Sequence, residues 1–288
     1  MSTAVVELKS LEKVFRRHRV LDRLSLDIHP GDRIALVGSN GAGKTTMIRC
    51  ILGQYRHGGG VRVRGMDPHA ARKEVLQHVG FVPQMPPPLR MPVQELLRYS
   101  ANLVGVDPSR MTAIAEAMGL DLGEAARKPF SKLSGGQKQK LLIGIALGRD
   151  ADLLIMDEPT ANLDPAARQI LFDLLAERLD SGMIISSHRL EEVAPLVNRV
   201  VEMDRGQVVL DDKVEDMVDP SVRQGCRLKI SGRDEAFANA IREWGFESAD
   251  GLEWTGVVAG PDRLKFLGVL SRYAGRLSAI HMDEGNDR

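Results

Sequence analysis

The stretch GSNGAGKT, residues 38–45, has the residue types and the spacing that bind a phosphate group. It fits G-x-x-x-x-G-K-[ST], in which glycine-loop amides wrap the β-phosphate, the lysine reaches the β- and γ-phosphates, and the hydroxyl ligates Mg²⁺. Lys44 and Thr45 occupy the last two positions of this pattern. The residues predicted to surround the phosphates are Gly38, Ser39, Asn40, Gly41, Ala42, Gly43, Lys44, Thr45 and Thr46.

A second chemical group ends the apolar run LLIMDEP, residues 153–159. In open α/β sheets, ligands bind at the carboxyl ends of the strands, where Asp157 and Glu158 would stand. Asp157 suits a Mg²⁺ site, and Glu158 is placed to orient or deprotonate an attacking water. By itself an acidic strand end is often solvated or caps a helix, but together with the phosphate loop it indicates nucleotide hydrolysis.

The surrounding sequence predicts the elements that must position these groups. RIALVG (33–38) is a compact strand before the glycine loop, KTTMIRCILG is the helix after it, and GMIISSH (182–188) is a further strand. EEVAPLVN follows as a helix, and RVVEMDRGQVVLDD as a hairpin that turns at Arg205–Gly206. Residues 4–30 alternate like strands, and residues 93–127 are mostly helical. The repeated strand–helix pattern predicts an α/β fold with a mainly parallel central sheet.

The pattern changes near Asp219–Pro220, where we expect a domain boundary between residues 1–218 and residues 219–288. The second part is predicted as strand (227–230), helix (234–245), hairpin (246–258), helix (261–275) and strand (277–282). This β-α-β-β-α-β order is that of a small α+β, ferredoxin-like unit. Trp244, Phe246 and Trp254 are expected to form its core.

Composition excludes several other classes of protein. The chain has 288 residues with 39 basic and 39 acidic side chains, so it has no overall basic field and gives no support for nucleic-acid binding. No apolar run approaches the roughly 20 residues of a membrane span, and the N-terminus lacks a signal-peptide pattern. Its two cysteines form no CxxC pair, which fits a cytoplasmic protein without a thiolate metal site.

Four further segments, together with the glycine loop and the Asp–Glu strand, agree in order and spacing with a known family over about residues 4–215. LSGGQ (133–137) lies just upstream of the Asp–Glu strand, Gln84 follows a short strand, ANLD (161–164) follows the acids, and His188 ends the next strand. Phe15 stands near the N-terminus, followed by Arg16. With the glycine loop, this set resembles the nucleotide-binding subunit of an ATP-binding cassette (ABC) transporter. The resemblance implies a P-loop NTPase core with an antiparallel β subdomain and a helical subdomain.

The resemblance also implies roles for individual residues. Lys44, Gln84, Glu158 and His188 would be catalytic, with Gln84 touching Mg²⁺ beside Thr45 and Asp157. Phe15 would stack on adenine next to Val20, although the family usually has tyrosine followed by glycine there. The remaining residues would bind ATP across a dimer interface, closing the site of the partner copy: Ser134, Gly135, Gly136, Gln137 and the D-loop Asp164.

The implied partners are a second copy of the chain and the transmembrane permease subunits of a transporter. The chain would then lie peripherally on the cytoplasmic face of the membrane, with MPPPLRMP (85–92) receiving the membrane partner through Leu89, Arg90 and Met91. On composition alone, that stretch is a stiff surface loop. By resemblance, a small C-terminal unit favours export. Among the roles of this unit, we rank contact with a second copy first, docking of a partner second and ligand sensing third. The alternative is the ATPase of a non-transport assembly scaffold.

Overall fold

The computed structural model describes residues 4–178, 181–187, 190–213, 223–259, 262–271 and 273–284. Near the N-terminus, β1 (Val6–Phe15), β2 (His18–Ile28) and β4 (Gly58–Val63) form an antiparallel sheet in the order β2-β1-β4. The alternation in residues 4–30 therefore correctly predicted two strands. The three glycines Gly58, Gly59 and Gly60 begin β4, and Val61 and Val63 of the same strand are buried against the core of this sheet.

The central sheet consists, within the described residues, of β3 (Arg33–Val37), β5 (Val79–Val82), β6 (Leu153–Asp157), β7 (Gly182–Ser186), β8 (Arg199–Asp204) and β9 (Gln207–Lys213). Their order is β5-β6-β7-β3-β8-β9. All neighbours are parallel except β8 and β9, which pair antiparallel through the predicted turn at Arg205–Gly206. The predicted mainly parallel α/β sheet is confirmed.

The middle strands β3, β6 and β7 are buried at every position, as expected for a parallel sheet covered on both faces. Their alternating residues face two cores. Ile34 and Leu36 join the apolar cluster under the N-terminal sheet, whereas Ala35 and Val37 join the cluster under the helices. Between their ends these three strands carry only apolar side chains, so their polar groups, such as Asp157 and Ser186, lie at the strand ends.

The helices of the first part are α1 (Lys44–Ile51), α2 (Arg72–Gln77), α3 (Val93–Val104), α4 (Pro108–Ala117), α5 (Leu122–Ala125), α6 (Gly135–Leu147), α7 (Pro165–Ala176) and α8 (Leu190–Val193). The sequence did not predict α2. The helix predicted from Glu191 is shorter, because Pro195 lacks a backbone N–H and the chain continues as a 3₁₀ turn, Ala194–Leu196. α4 packs closely on α6, where Gly144 leaves no room for a Cβ beside Ala115.

The second part contains β10 (Arg223–Ile230), α9 (Glu235–Arg242), β11 (Glu253–Ala259), α10 (Arg263–Ser271) and β12 (Leu277–Glu284), with an antiparallel sheet in the order β11-β10-β12. The first arm of the predicted hairpin is reduced to an isolated bridge between Glu247 and Thr255. The physical reason is the turn, because the Asp250 carboxylate accepts the backbone N–H groups of Leu252 and Glu253 that a longer ladder would need.

The core of this second part matches the predicted aromatic set. Phe246 and Trp254 are buried, and Trp244 is half-buried with its ring 5.1 Å from that of Phe266. α10 also packs against α8, so the apolar cluster of the second part is continuous with the one under the helices of the first. The segment around the predicted boundary, residues 214–222, lies outside the described residues, and the division at 218/219 stays a prediction.

Candidate functional site

The glycine loop connects the end of β3 to the start of α1 and must pass very close to neighbouring backbone. A Cβ on Gly38 would lie 2.3 Å from the carbonyl oxygen of Met203, so only glycine fits there. Gly43 has φ +106 and stands at the N-cap of α1, where no side chain caps the helix. The first amides of α1 are therefore presented to the loop, in the arrangement that favours an anion.

The Lys44 ammonium lies inside this loop. Its Nζ donates to the carbonyl oxygens of Gly38 at 2.6 Å and Ser39 at 3.3 Å, and the residue is buried. Burial lowers the pKa of Lys44 from its ordinary value, whereas the carboxylates of Glu158 and Asp157 favour the charged form. A buried cation beside two carboxylates is well placed to neutralise phosphate charge.

A chain of hydrogen bonds joins the first turn of α1 to the ends of β6 and β7. The Thr45 hydroxyl donates to Asp157 Oδ2 at 2.8 Å, and the Ser186 hydroxyl donates to Asp157 Oδ1 at 2.6 Å. The backbone N–H of Glu158 in turn donates to Ser186 Oγ at 2.9 Å. The structure therefore brings the predicted pair Thr45 and Asp157 into direct contact.

A cavity of about 210 Å³ opens at this strand edge. Glu158, whose backbone is held at φ +51, lines it together with Gln84. The other lining residues are Val20, Ser39, Asn40, Gly41, Ala42, Gly43, Lys44, Thr45 and Thr46. One concave site thus combines the predicted phosphate loop with the two side chains predicted to act on water and metal.

The oxygen donors that line this cavity or contact its lining fit a magnesium ion. Thr45 supplies a hydroxyl, Asp157 a carboxylate and Gln84 an amide, and oxygen ligands with few carboxylates are what Mg²⁺ requires beside a nucleotide. Within the described residues there is no cluster of three histidine, cysteine or acidic side chains that would suggest a softer or all-protein metal site.

Phe15 lies at the end of the β1–β2 hairpin and does not line the cavity, whereas Val20 does. The Phe15 ring is part-exposed, meets the Tyr55 ring edge-on at 5.3 Å, and has the Lys13 ammonium 4.6 Å from its centre. Arg16, which follows it, has φ +55, a conformation that glycine adopts without strain. Stacking by Phe15 stays a prediction.

The LSGGQ segment forms the start of α6, and that start is closed by its own side chains. Ser134 Oγ accepts the backbone N–H of Gln137 at 3.2 Å, and Gln137 Oε1 accepts the backbone N–H of Ser134 at 3.0 Å. This is a capping box, which fixes the helix start. None of residues 134–137 lines the cavity at the glycine loop. The LSGGQ helix start is therefore separate from the helix start at the glycine loop.

The start of α6 is tied to the loop that contains ANLD. Lys140 Nζ lies 3.1 Å from Asp164 Oδ2, and Gln139 Nε2 donates to the Pro159 carbonyl at 3.0 Å. The backbone of Asn162 packs beside Gly136. Asp164 also caps α7 through the Ala167 N–H, and this bond, followed by Lys140, lowers the pKa of Asp164. These contacts hold the start of α6 and the ANLD loop next to each other.

Two more residues near the end of β7, His188 and Ser186, differ in how the sequence predicted them. His188 lies outside the described residues, so its catalytic role stays a prediction. Ser186, which bridges Asp157 and Glu158, was not predicted as a site residue. The available signal was its polarity, because GMIIS is otherwise apolar and Ser186 is fully buried. A buried hydroxyl at the end of such a strand requires a partner.

Comparisons with known proteins agree with this geometry. A family model described as ABC transporter matches residues 21–161. The chain is 32% identical over 234 residues to Nod factor export ATP-binding protein I of Cupriavidus metallidurans, covering 78% of this chain and 75% of that protein. A solved ATP-binding subunit of an ABC transporter superposes with a TM-score of 0.67 at 25% identity, over 74% of this chain and 91% of that one. The dimeric structure of the bacterial cassette MJ0796 shares the fold, with a TM-score of 0.65 at 21% identity, over 74% of this chain and 100% of that one.

Proposed function

The chain belongs to the ABC transporter family of ATP-binding proteins and is an ABC-type ATPase, and from this premise we propose that it dimerises around two ATP molecules and drives transport through separate membrane subunits. The observation that carries the proposal is the cavity at the glycine loop. It unites the amides before α1, the buried Lys44 ammonium, and the Glu158 and Gln84 side chains in one site.

Each group in the cavity has a task in phosphoryl transfer to water, which needs positioning and charge neutralisation more than covalent chemistry. Lys44 and the loop amides hold the phosphates of ATP. Glu158 orients the attacking water and accepts its proton, with Gln84 and His188 as further polar contacts. Thr45, Asp157 and Gln84 would hold Mg²⁺, which when bound offsets negative charge on the phosphates.

The separation of the two helix starts supports the proposed dimer. The cavity is lined by the glycine loop, Gln84 and Glu158, and its open side lacks Ser134 and the amides of Gly135 and Gly136, which stand elsewhere on the same chain. Two copies that pair head to tail let each LSGGQ segment cover the other copy's ATP. Such an interface is isologous and forms two equivalent sites.

In this proposal, transport takes place through separate membrane subunits. Among the helices of the described residues, none is both long and apolar enough to span a bilayer. Residues 85–92 suit the contact: Met85 is 79% exposed and Met91 is 37% exposed. The carbonyls of Leu89 and Met91 accept the N–H groups of Ser131 and Phe130, directly before LSGGQ. A partner docked here would reach the dimer interface through backbone hydrogen bonds, with the chain lying on the cytoplasmic face of the membrane.

For the direction of transport we favour export, as in the Nod factor export relative. The scaffold alternative is distinguished by isolating the chain from membranes: co-purification with a protein of several membrane spans supports transport. Recovery only with soluble partners contradicts it.

The ATPase proposal is tested with purified protein and Mg²⁺. Lys44→Ala should lose nucleotide binding or turnover, because it removes the buried cation. Glu158→Gln should keep ATP binding, lose turnover and accumulate as an ATP-bound dimer on size exclusion. Glu116→Gln makes the same change of carboxylate to amide on the exposed face of α4, away from the cavity, and serves as the matched control for Glu158→Gln. Turnover by Glu158→Gln at the parent rate would remove Glu158 from its role, and full activity of His188→Ala would do the same for His188.

A further inference from the structure

Ser186 is a polar residue in the most apolar layer of the molecule. It ends β7 between β3 and β6, pairs in register with Leu36 on one side and Asp157 on the other, and is fully buried. A buried hydroxyl is unfavourable unless it is hydrogen-bonded, whereas alanine would fill most of the same space without that requirement. The side chain therefore has a reason to be there beyond packing.

Both hydrogen bonds of the Ser186 hydroxyl go to the acidic pair. It donates to Asp157 Oδ1 at 2.6 Å and accepts the Glu158 backbone N–H at 2.9 Å. A hydroxyl that accepts from one side has its single proton directed to the other, so the orientation of the Asp157 carboxylate is fixed. Oδ1 is occupied by Ser186, and Oδ2 remains directed to Thr45.

The same hydroxyl restrains Glu158. That residue has φ +51, a conformation that is uncommon for a side chain with a Cβ and needs support from its surroundings. Its backbone N–H is held by Ser186 Oγ at 2.9 Å and lies 3.3 Å from the Ser186 carbonyl oxygen. Ser186 thus directs the Asp157 carboxylate toward Thr45. It also restrains the backbone of Glu158, whose residue lines the cavity.

We propose that Ser186 is a positioning residue that orients the Asp157 carboxylate toward the metal-binding hydroxyl of Thr45 and holds Glu158 over the nucleotide cavity. This inference rests on the proposed function. It assigns to Ser186 the outer-shell role that hydrogen-bond partners of metal ligands commonly play, where removal lowers metal affinity or activity by about 10–100-fold. The Ser186 hydroxyl is not proposed to contact ATP.

The test measures ATP binding with and without the metal. In a Glu158→Gln background, which keeps the backbone N–H, ATP affinity is measured by displacement of a fluorescent nucleotide in MgCl₂ and in EDTA. Ser186→Ala should leave the affinity in EDTA unchanged and reduce the gain from Mg²⁺ by about 10-fold or more. Ser186→Thr, which restores a hydroxyl, should recover the gain, and Ser186→Cys, a weak donor of similar size, should give an intermediate value.

The matched control is Ser181→Ala. Ser181 precedes the other end of β7, and its hydroxyl donates to the Ala151 carbonyl at 3.3 Å, far from the acidic pair along the strand. It should keep the full Mg²⁺ gain. Thermal unfolding of all variants separates loss of fold from loss of metal response, and Ser186→Cys remains informative if Ser186→Ala does not fold.

The outcomes for Ser186 and for the proposed function are distinguishable. An undiminished Mg²⁺ gain in Ser186→Ala, or equal losses in Ser186→Ala and Ser181→Ala, overturns the role of Ser186. Failure of the Glu158→Gln parent itself to bind ATP overturns the proposed function instead. With Glu158 intact, Ser186→Ala should lower kcat and raise the Mg²⁺ concentration needed for half-maximal turnover, while KM for ATP at saturating Mg²⁺ changes little.

Discussion

Glu202 is a carboxylate buried within the central sheet beneath the nucleotide cavity. It lies on β8 in register with Val37, the last residue before the glycine loop, and only 4% of it is exposed. Its Oε1 has no hydrogen-bond partner within the described residues. Burial raises the pKa of Glu202 to about 7, with a smaller contribution from the Asp204 carboxylate. The charged form is therefore unfavourable in the folded chain.

The sign of the pH dependence follows from this raised pKa. Between pH 4.5 and about 7 the folded chain keeps a proton on Glu202 that the unfolded chain releases. The free energy of unfolding must then fall as pH rises through this interval. Because one unit of pKa difference corresponds to about 1.36 kcal/mol, the loss amounts to about 3 kcal/mol and is complete above the folded-state pKa.

Glu202→Gln removes the titration with almost no change in volume. Urea unfolding of parent and variant at about pH 5 and about pH 8 should show the variant gaining about 2–3 kcal/mol relative to the parent between the two conditions. Comparing the two pH values cancels any constant cost of the amide. Glu116→Gln, on the exposed face of α4, is the control and should give no such gain. Equal pH dependence of parent and Glu202→Gln would refute the reasoning.

Three further predictions concern packing, charge and docking. Gly144→Ala should lower the free energy of unfolding by about 1–3 kcal/mol in urea, because its Cβ would lie 2.8 Å from that of Ala115; an unchanged midpoint would contradict the close approach. Arg199→Met should cost about 1.5–3 kcal/mol in the same assay, since it removes the bond from Arg199 Nη1 to the Asp32 carboxylate at 2.7 Å while Lys213 and the His29 N–H still hold Asp32; an unchanged midpoint would show that this bond contributes no net stability. Met91→Glu should abolish co-purification with the membrane partner while leaving basal ATPase activity intact, whereas Val209→Glu, exposed on the opposite edge strand, should not; equal behaviour would place docking elsewhere.

Much of the fold follows from local patterns. The buried strand before GSNGAGKT, the strand before Asp157 and the turn at Arg205–Gly206 all occur as predicted, because apolar runs and glycine turns act within a few residues of sequence. The elements that are shorter in the structure than predicted from the sequence depend on single residues. Pro195 shortens a predicted helix, and the turn around Asp250 takes up the N–H groups of a predicted strand arm.

By itself the sequence determined the chemistry: a phosphate loop with Lys44 and Thr45, an acidic strand end with Asp157 and Glu158, and a second helix start at Ser134. These depend on residue type at fixed spacing, which the sequence states directly. The tertiary structure decided which groups meet. Strand order puts β7 between β3 and β6, so Ser186 reaches Asp157 across 29 positions of sequence and Thr45 reaches it across 112. It also decided that the LSGGQ segment stands outside the cavity of its own chain, because the Lys140–Asp164 ion pair and the hydrogen bond from Gln139 to Pro159 fix it to the loop before α7. Such contacts depend on how sheet and helices pack, and no local pattern specifies them.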